Sequence, residues 1–132
     1  MVFVGAVDPT RLAALIDIGA AAVGRRDAFE IALERTGGTS AGVAWITPER
    51  DPPRPLVELH ARIRQRMQEA AFRVEARGFR PHVTLARRCL RSPPRGVVAS
   101  IRWRAAAVAL VESQPQRGGS IYRDLATWRL AG

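Results

Sequence analysis

No lysine occurs in this chain. All 21 of its basic side chains are arginine, set against 12 Asp and Glu for a formal net charge of +9. The single cysteine, Cys89, excludes an internal disulfide and any multi-cysteine metal site. Only two histidines exist, His60 and His82, so imidazole chemistry has few candidates. No apolar run reaches the length of a membrane span. Residues 1–7 lack the basic segment of a signal peptide and are too short for one. No cluster of carboxylates and histidines suggests a metal. The expectation is a cytoplasmic protein with no metal, no cofactor and no membrane partner.

What is present is a hydrophobic fraction of 47% in 132 residues, enough for one domain, 1–132, with a modest core. The positive charge favours polyanionic partners, RNA or another phosphorylated ligand first. Arginine grips phosphate through a bidentate fork that lysine lacks.

Residues 2–7 alternate weakly and read as a buried strand. Asp8-Pro9 supplies a cap and a first-turn proline, and Leu12, Leu15, Ile16, Gly19, Ala20 and Val23 recur at helical spacing, predicting a helix over 9–23. Phe29, Ile31 and Leu33 alternate as a strand, Gly37-Gly38-Thr39 reads as a turn, and Gly42 to Ile46 as a further strand. After the proline-rich stretch Pro48–Pro55, a second helix places Leu56, Leu59, Ile63, Met67 and Ala70 on one face, with Arg62, Arg64 and Arg66 on its flanks. Arg80 to Leu85 is a strand and Ser92 to Gly96 a loop. Ile101–Arg104 and Val108–Val111 form one bent strand or two. Gly118-Gly119 is a turn, and Ile121 to Leu130 the last strand. The order β-α-β-β-α-β-β-β implies an α+β fold with two helices on one side of an antiparallel-rich sheet. Trp45, Trp103 and Trp128 read as core residues, and His60 as a helix residue at the core's edge.

The most informative segment is Phe79-Arg80-Pro81-His82-Val83-Thr84-Leu85-Ala86-Arg87. Period-two alternation puts His82, Thr84 and Ala86 on one strand face and Val83, Leu85 and Arg87 on the other. An imidazole and a hydroxyl on one rigid face make an acid/base and hydrogen-bonding unit suited to phosphate esters.

This segment resembles the second signature of the two-histidine (2H) phosphoesterases, most of all their bacterial RNA 2′,3′-cyclic phosphodiesterase branch, the 2′-5′ RNA ligase family. The likeness continues in order. Phe3 to Val7 resembles the segment after the family's first His-x-Thr-Leu, Val43 to Ile46 its middle strand, and Leu56 to Phe72 its long helix. Trp103, Val108 to Ser113, Tyr122 and Trp128 to Leu130 resemble its C-terminal strands. The resemblance implies a two-lobed α+β fold of antiparallel-rich sheets with two helices, here without the first strand and helix of the family fold. The family's first His-x-Thr falls just before Met1 in this register. Either the start is placed too late or the chain is truncated. His60 has no threonine two residues on.

The resemblance implies hydrolysis of a 2′,3′-cyclic phosphate to a 2′-phosphate by two imidazoles on opposite sides of the phosphorus. His82 is then one acid/base residue, Thr84 a hydrogen-bond donor to a phosphate oxygen, and Arg87 a phosphate contact. Strict alternation turns Arg87 away from His82, so that role needs a twist or a strand end. Phe79 and Arg80 are expected at the mouth of the cleft. Partners are RNA ends or cyclic nucleotides. The rival readings are a non-catalytic RNA- or nucleotide-binding remnant of the same fold and a destabilised fragment.

Overall fold

The computed structural model describes residues 2–48, 51–76, 78–91 and 94–132. It divides into two units, one of residues 29–57 and 78–104, the other of Val2–Ala28, Glu58–Ala76 and Ala105–Gly132.

In the first unit, strands β1 (Phe29–Gly38), β2 (Ala44–Thr47), β3 (Val83–Ala86) and β4 (Gly96–Ala105) form one sheet in the order β3-β2-β1-β4. Strands β1 and β2 pair antiparallel, Thr36 opposite Ile46 and Gly37 opposite Trp45. The predicted turn at Gly37-Gly38 is a correction: both glycines belong to β1, and the chain reverses over Thr39 to Gly42. There Thr39 N–H donates to the Val43 carbonyl at 2.9 Å and Gly42 N–H to the Thr39 carbonyl at 3.1 Å. The reason lies across the strand pair. A Cβ at Gly37 would stand 2.9 Å from Trp45 Nε1 and 3.2 Å from its Cε2, so the indole occupies the space that a side chain would take. Among the described residues, Ile31, Leu33 and Ile46 are the buried hydrophobics of this unit. Strand β4 carries exposed Val97, Val98, Ile101 and Trp103, so Trp103 is not a core residue.

The second unit is built on α1 (Leu12–Val23), the part of α2 (Arg54–Glu69) from Glu58 onward, and the hairpin β5 (Ala107–Gln116) and β6 (Gly119–Arg129). Asp8 opens the first helical segment, a 3-10 turn over Pro9–Arg11, by accepting from Thr10 N–H at 2.8 Å and Thr10 Oγ1 at 2.6 Å. These two donors hold the Asp8 carboxyl below its ordinary range. Leu15, Met67 and Phe72 form the buried cluster, with Val2, Val4, Val7, Ile18, Ile63 and Leu110 packed against it. Residues 2–7 are thus apolar for packing, as their pattern suggests, but they form no strand. Gly5, with φ +77°, interrupts the extended backbone that a ladder needs.

Helix α2 ends in a Schellman motif. Phe72 N–H reaches the Met67 carbonyl at 2.8 Å and Ala71 N–H the Gln68 carbonyl at 3.0 Å. Ala71 holds the left-handed position, φ +56°, that glycine usually takes. Arg11 seals this end: its Nη2 donates to the Ala70 carbonyl at 2.6 Å and its Cζ lies 3.7 Å from the Phe72 ring centroid. On α1, a Cβ at Gly19 would overlap the Trp128 indole. The hairpin turns at Arg117-Gly118, with Gly118 at φ +99°. The possible single bent strand resolves into two, β4 and β5, separated at Ala106 and assigned to different sheets. In the predicted Ser92–Gly96 loop, Ser92 and Pro93 lie outside the described residues, as do Glu49 and Arg50 in the proline-rich connector. Among the described residues no helix is long and apolar enough to cross a membrane.

Candidate active site

Strand β3 begins at Val83, so His82 sits immediately before it rather than within it. Its Nδ1 lies 2.9 Å from the Arg80 carbonyl. A carbonyl oxygen only accepts, so Nδ1 carries the hydrogen and Nε2 remains the nitrogen available to a ligand. The imidazole is exposed. Arg80 therefore contributes its backbone as an orienting partner of the imidazole. Phe79 is half-buried and Arg80 exposed.

Strand β3 pairs antiparallel with β2, Val83 opposite Ile46 and Thr84 opposite Trp45. Directly opposed residues share a sheet face. Thr84, Trp45 and Gly37 therefore lie in one row, and Ile46 with Val83 points to the other side. The β2–β3 ladder ends at Ile46 and Val83, and the next residue of β2, Thr47, pairs with Arg35. The paired residues make two adjacent rows on one face, Arg35 with Thr47 and Gly37 with Trp45 and Thr84, and His82 lies one residue before the paired part of β3. Along β1 this face is buried at Ile31 and Leu33 and becomes polar from Arg35 onward.

The register then slips. Ala44 pairs with Ala86 although Trp45 pairs with Thr84, which leaves Leu85 as an extra residue in β3. Such a bulge inverts the alternation beyond it. Arg87, which regular alternation sends to the opposite face, falls into the phase of His82 and Thr84. The backbone just after it is clamped. Arg88 takes φ +58°, and Cys89 N–H donates to the Gly42 carbonyl at 2.9 Å. Gly42, at φ +78°, has no room for a side chain: a Cβ would stand 2.7 Å from the Cys89 carbonyl oxygen and 2.9 Å from its nitrogen.

Beside the two rows lies an open depression of about 580 Å³, lined among others by Arg35, Thr36, Ser40, Trp45, Thr47 and Arg95. Arg95 is held at its rim by a 3.2 Å bond from Nη2 to the Gly38 carbonyl, and Thr36 Oγ1 donates to the Gly96 carbonyl at 3.3 Å. In sequence these residues carry no functional signature, and Trp45 reads as core. Alternation across the Thr39–Gly42 reversal would have put Arg35, Gly37, Trp45 and Thr47 on one face, had that reversal been located correctly. His60 lies in α2, half-buried, with its pKa lowered chiefly by burial. Among the described residues no group of three metal-ligating side chains comes together.

An α+β chain with two helices, antiparallel sheets and a His-x-Thr leading into a strand of one of them has the fold of the two-histidine phosphoesterases. Residues 2–116 match the family model of the 2′-5′ RNA ligase superfamily, and the chain belongs to that superfamily, a group of phosphoesterases and ligases. A solved phosphoesterase superposes with a TM-score of 0.83 at 25% identity, covering 98% of this chain and 74% of that one. E. coli LigT in complex with 3′-AMP gives 0.81 at 26% identity, with 98% and 74% covered. The Thermus thermophilus protein TT0787 shares the fold, with a TM-score of 0.83 at 23% identity and 98% and 75% covered. No curated protein matches the chain.

Proposed function

We propose that this chain carries catalytic residues of an RNA 2′,3′-cyclic phosphodiesterase, which opens the cyclic ester with water to leave a 2′-phosphate. The observation that carries this reading is the local geometry of the segment: exposed His82, with Nδ1 on the Arg80 carbonyl, immediately precedes β3, and Thr84 lies within β3 just ahead of the Leu85 bulge, which puts Arg87 in the alternation phase of Thr84. Water attacking phosphorus must lose a proton, and the departing ribose oxygen must gain one. His82 performs one of these transfers through Nε2, and the other proton is exchanged with solvent water. Thr84 donates to a non-bridging oxygen, and Arg87 offsets charge building on the phosphoryl group. The chemistry needs no resident cofactor. The binding of 3′-AMP by LigT supports a nucleotide with a phosphate on its ribose as the ligand class.

The test is release of 2′-phosphate from an oligoribonucleotide ending in a 2′,3′-cyclic phosphate. Turnover should fall on the order of 10²- to 10⁴-fold in His82→Ala, with no change in melting temperature because the side chain is exposed. The second reading, a non-catalytic RNA- or nucleotide-binding protein, is favoured by the presence of a single His-x-Thr in these 132 residues. It predicts binding of the 2′-phosphate product without turnover of the cyclic ester.

A further inference from the structure

The depression beside the catalytic rows has no part in the proton transfers, yet its chemistry is specific. Two guanidinium groups, Arg35 and Arg95, and one half-buried indole, Trp45, line it, and among the described lining residues there is no carboxylate. Trp45 is directly opposite Thr84, and opposed residues on one face stand about 5 Å apart at Cβ. A phosphate held by Thr84 therefore has the indole within the length of a single nucleotide. Arg35 lies further along the same face, in the row of Thr47, and Arg95 is fixed at the rim by the Gly38 carbonyl. An aromatic surface flanked by cations, stepping away from a phosphate-binding hydroxyl, is how single-stranded nucleic acid is tracked without base-specific hydrogen bonds.

Resting on the proposed phosphodiesterase reading, we propose that this depression is a second-nucleotide subsite. It takes the phosphodiester and base on the 5′ side of the terminal nucleotide, so the preferred substrate is an RNA end and not a free cyclic mononucleotide. Trp45 stacks on the base, and Arg35 with Arg95 meets the phosphodiester. The glycine at position 37 belongs to this arrangement, because a side chain there would displace the indole from its place on the sheet.

Binding to the 132-residue chain separates the possibilities. The probes are adenosine 3′-phosphate and the diadenosine ending in a 3′-phosphate, titrated calorimetrically. The dinucleotide should bind on the order of 10-fold tighter, with a salt slope steeper by about 0.7 for its added phosphate. Trp45→Leu should erase most of that gain and leave the mononucleotide within about 2-fold. Arg95→Gln, a change at an exposed rim that does not depend on the indole packing, should remove the extra salt slope. Equal affinity for the two probes, or variants that weaken both probes alike, overturns the subsite. Mononucleotide binding that His82→Ala weakens, without any gain from the second nucleotide, overturns the subsite alone. Failure of both probes to bind the folded wild-type chain overturns the phosphate reading of His82 and Thr84 together with it.

Discussion

The two units divide the work of the chain unequally. The second unit is stitched from all sides: Leu15, Met67 and Phe72 are buried together, Arg11 caps the end of α2, and Trp128 fills the notch left by Gly19. Among its described residues the first unit buries only the hydrophobics Ile31, Leu33 and Ile46, yet it holds His82, Thr84, Arg87 and the depression. Its order comes from backbone devices instead: a close approach at Gly42, a bulge at Leu85, and an indole laid over Gly37. Packing in one unit and backbone geometry in the other are two ways to hold side chains in place, and they fail differently. Loss of packing costs stability everywhere in that unit, whereas a backbone error in the sheet misaims a few functional groups.

The comparison breaks most sharply at Met67, which is 1% exposed. Met67→Ala should cost about 2–5 kcal/mol in chemical denaturation, through a cavity at the centre of the second unit. A loss under about 1 kcal/mol would show that this core is not where the stability lies. Gly42→Ala comes next. It strains a left-handed backbone and pushes into the Cys89 peptide, so about 1–3 kcal/mol should be lost. Phosphate affinity should fall with it as Arg87 moves. Stability lost with affinity intact would show that the clamp does not aim Arg87. Ala71→Gly should instead gain about 0.5–1 kcal/mol, because glycine accepts φ +56° without its Cβ penalty. A change of the opposite sign in thermal melts would contradict the cap assignment.

The smallest effect is pH-dependent. Burial, with the Arg64 charge adding to it, holds His60 below its ordinary value near 6.5. The unfolded chain then takes up a proton that the folded one resists. The contribution of His60 is present above about pH 6.5 and is lost as the pH falls through the folded value. Melting temperature should drop modestly between pH 7.5 and 5.5, and His60→Gln should flatten part of that drop. Half-exposure of the side chain keeps the effect small.

Local pattern carried the sequence reading as far as local physics reaches. Helical spacing located both helices, and alternation with the Gly118 turn located the hairpin. The His-x-Thr spacing marked the two candidate site residues, His82 just before β3 and Thr84 within it. The misreadings came from partners distant in sequence. Gly37 reads as a turn until Trp45 is known to lie over it. Residues 2–7 read as a strand until their apolar side chains are seen packed on Leu15, Met67 and Phe72 without a ladder. The depression was illegible for the same reason, since it exists only once β1 and β2 are in register.

The bulge at Leu85 bears on how the length of this segment can change. His82 and Arg87 are five residues apart, an odd spacing that regular pleating cannot reconcile with a shared side. A homologue shorter by one residue here would reach the same side with a flat ladder and no bulge. Insertions and deletions at Leu85 are therefore compensated by gaining or losing a single ladder irregularity. The deletion variant lacking Leu85 is accordingly expected to keep its arginine on the histidine's side while straightening the edge of the sheet.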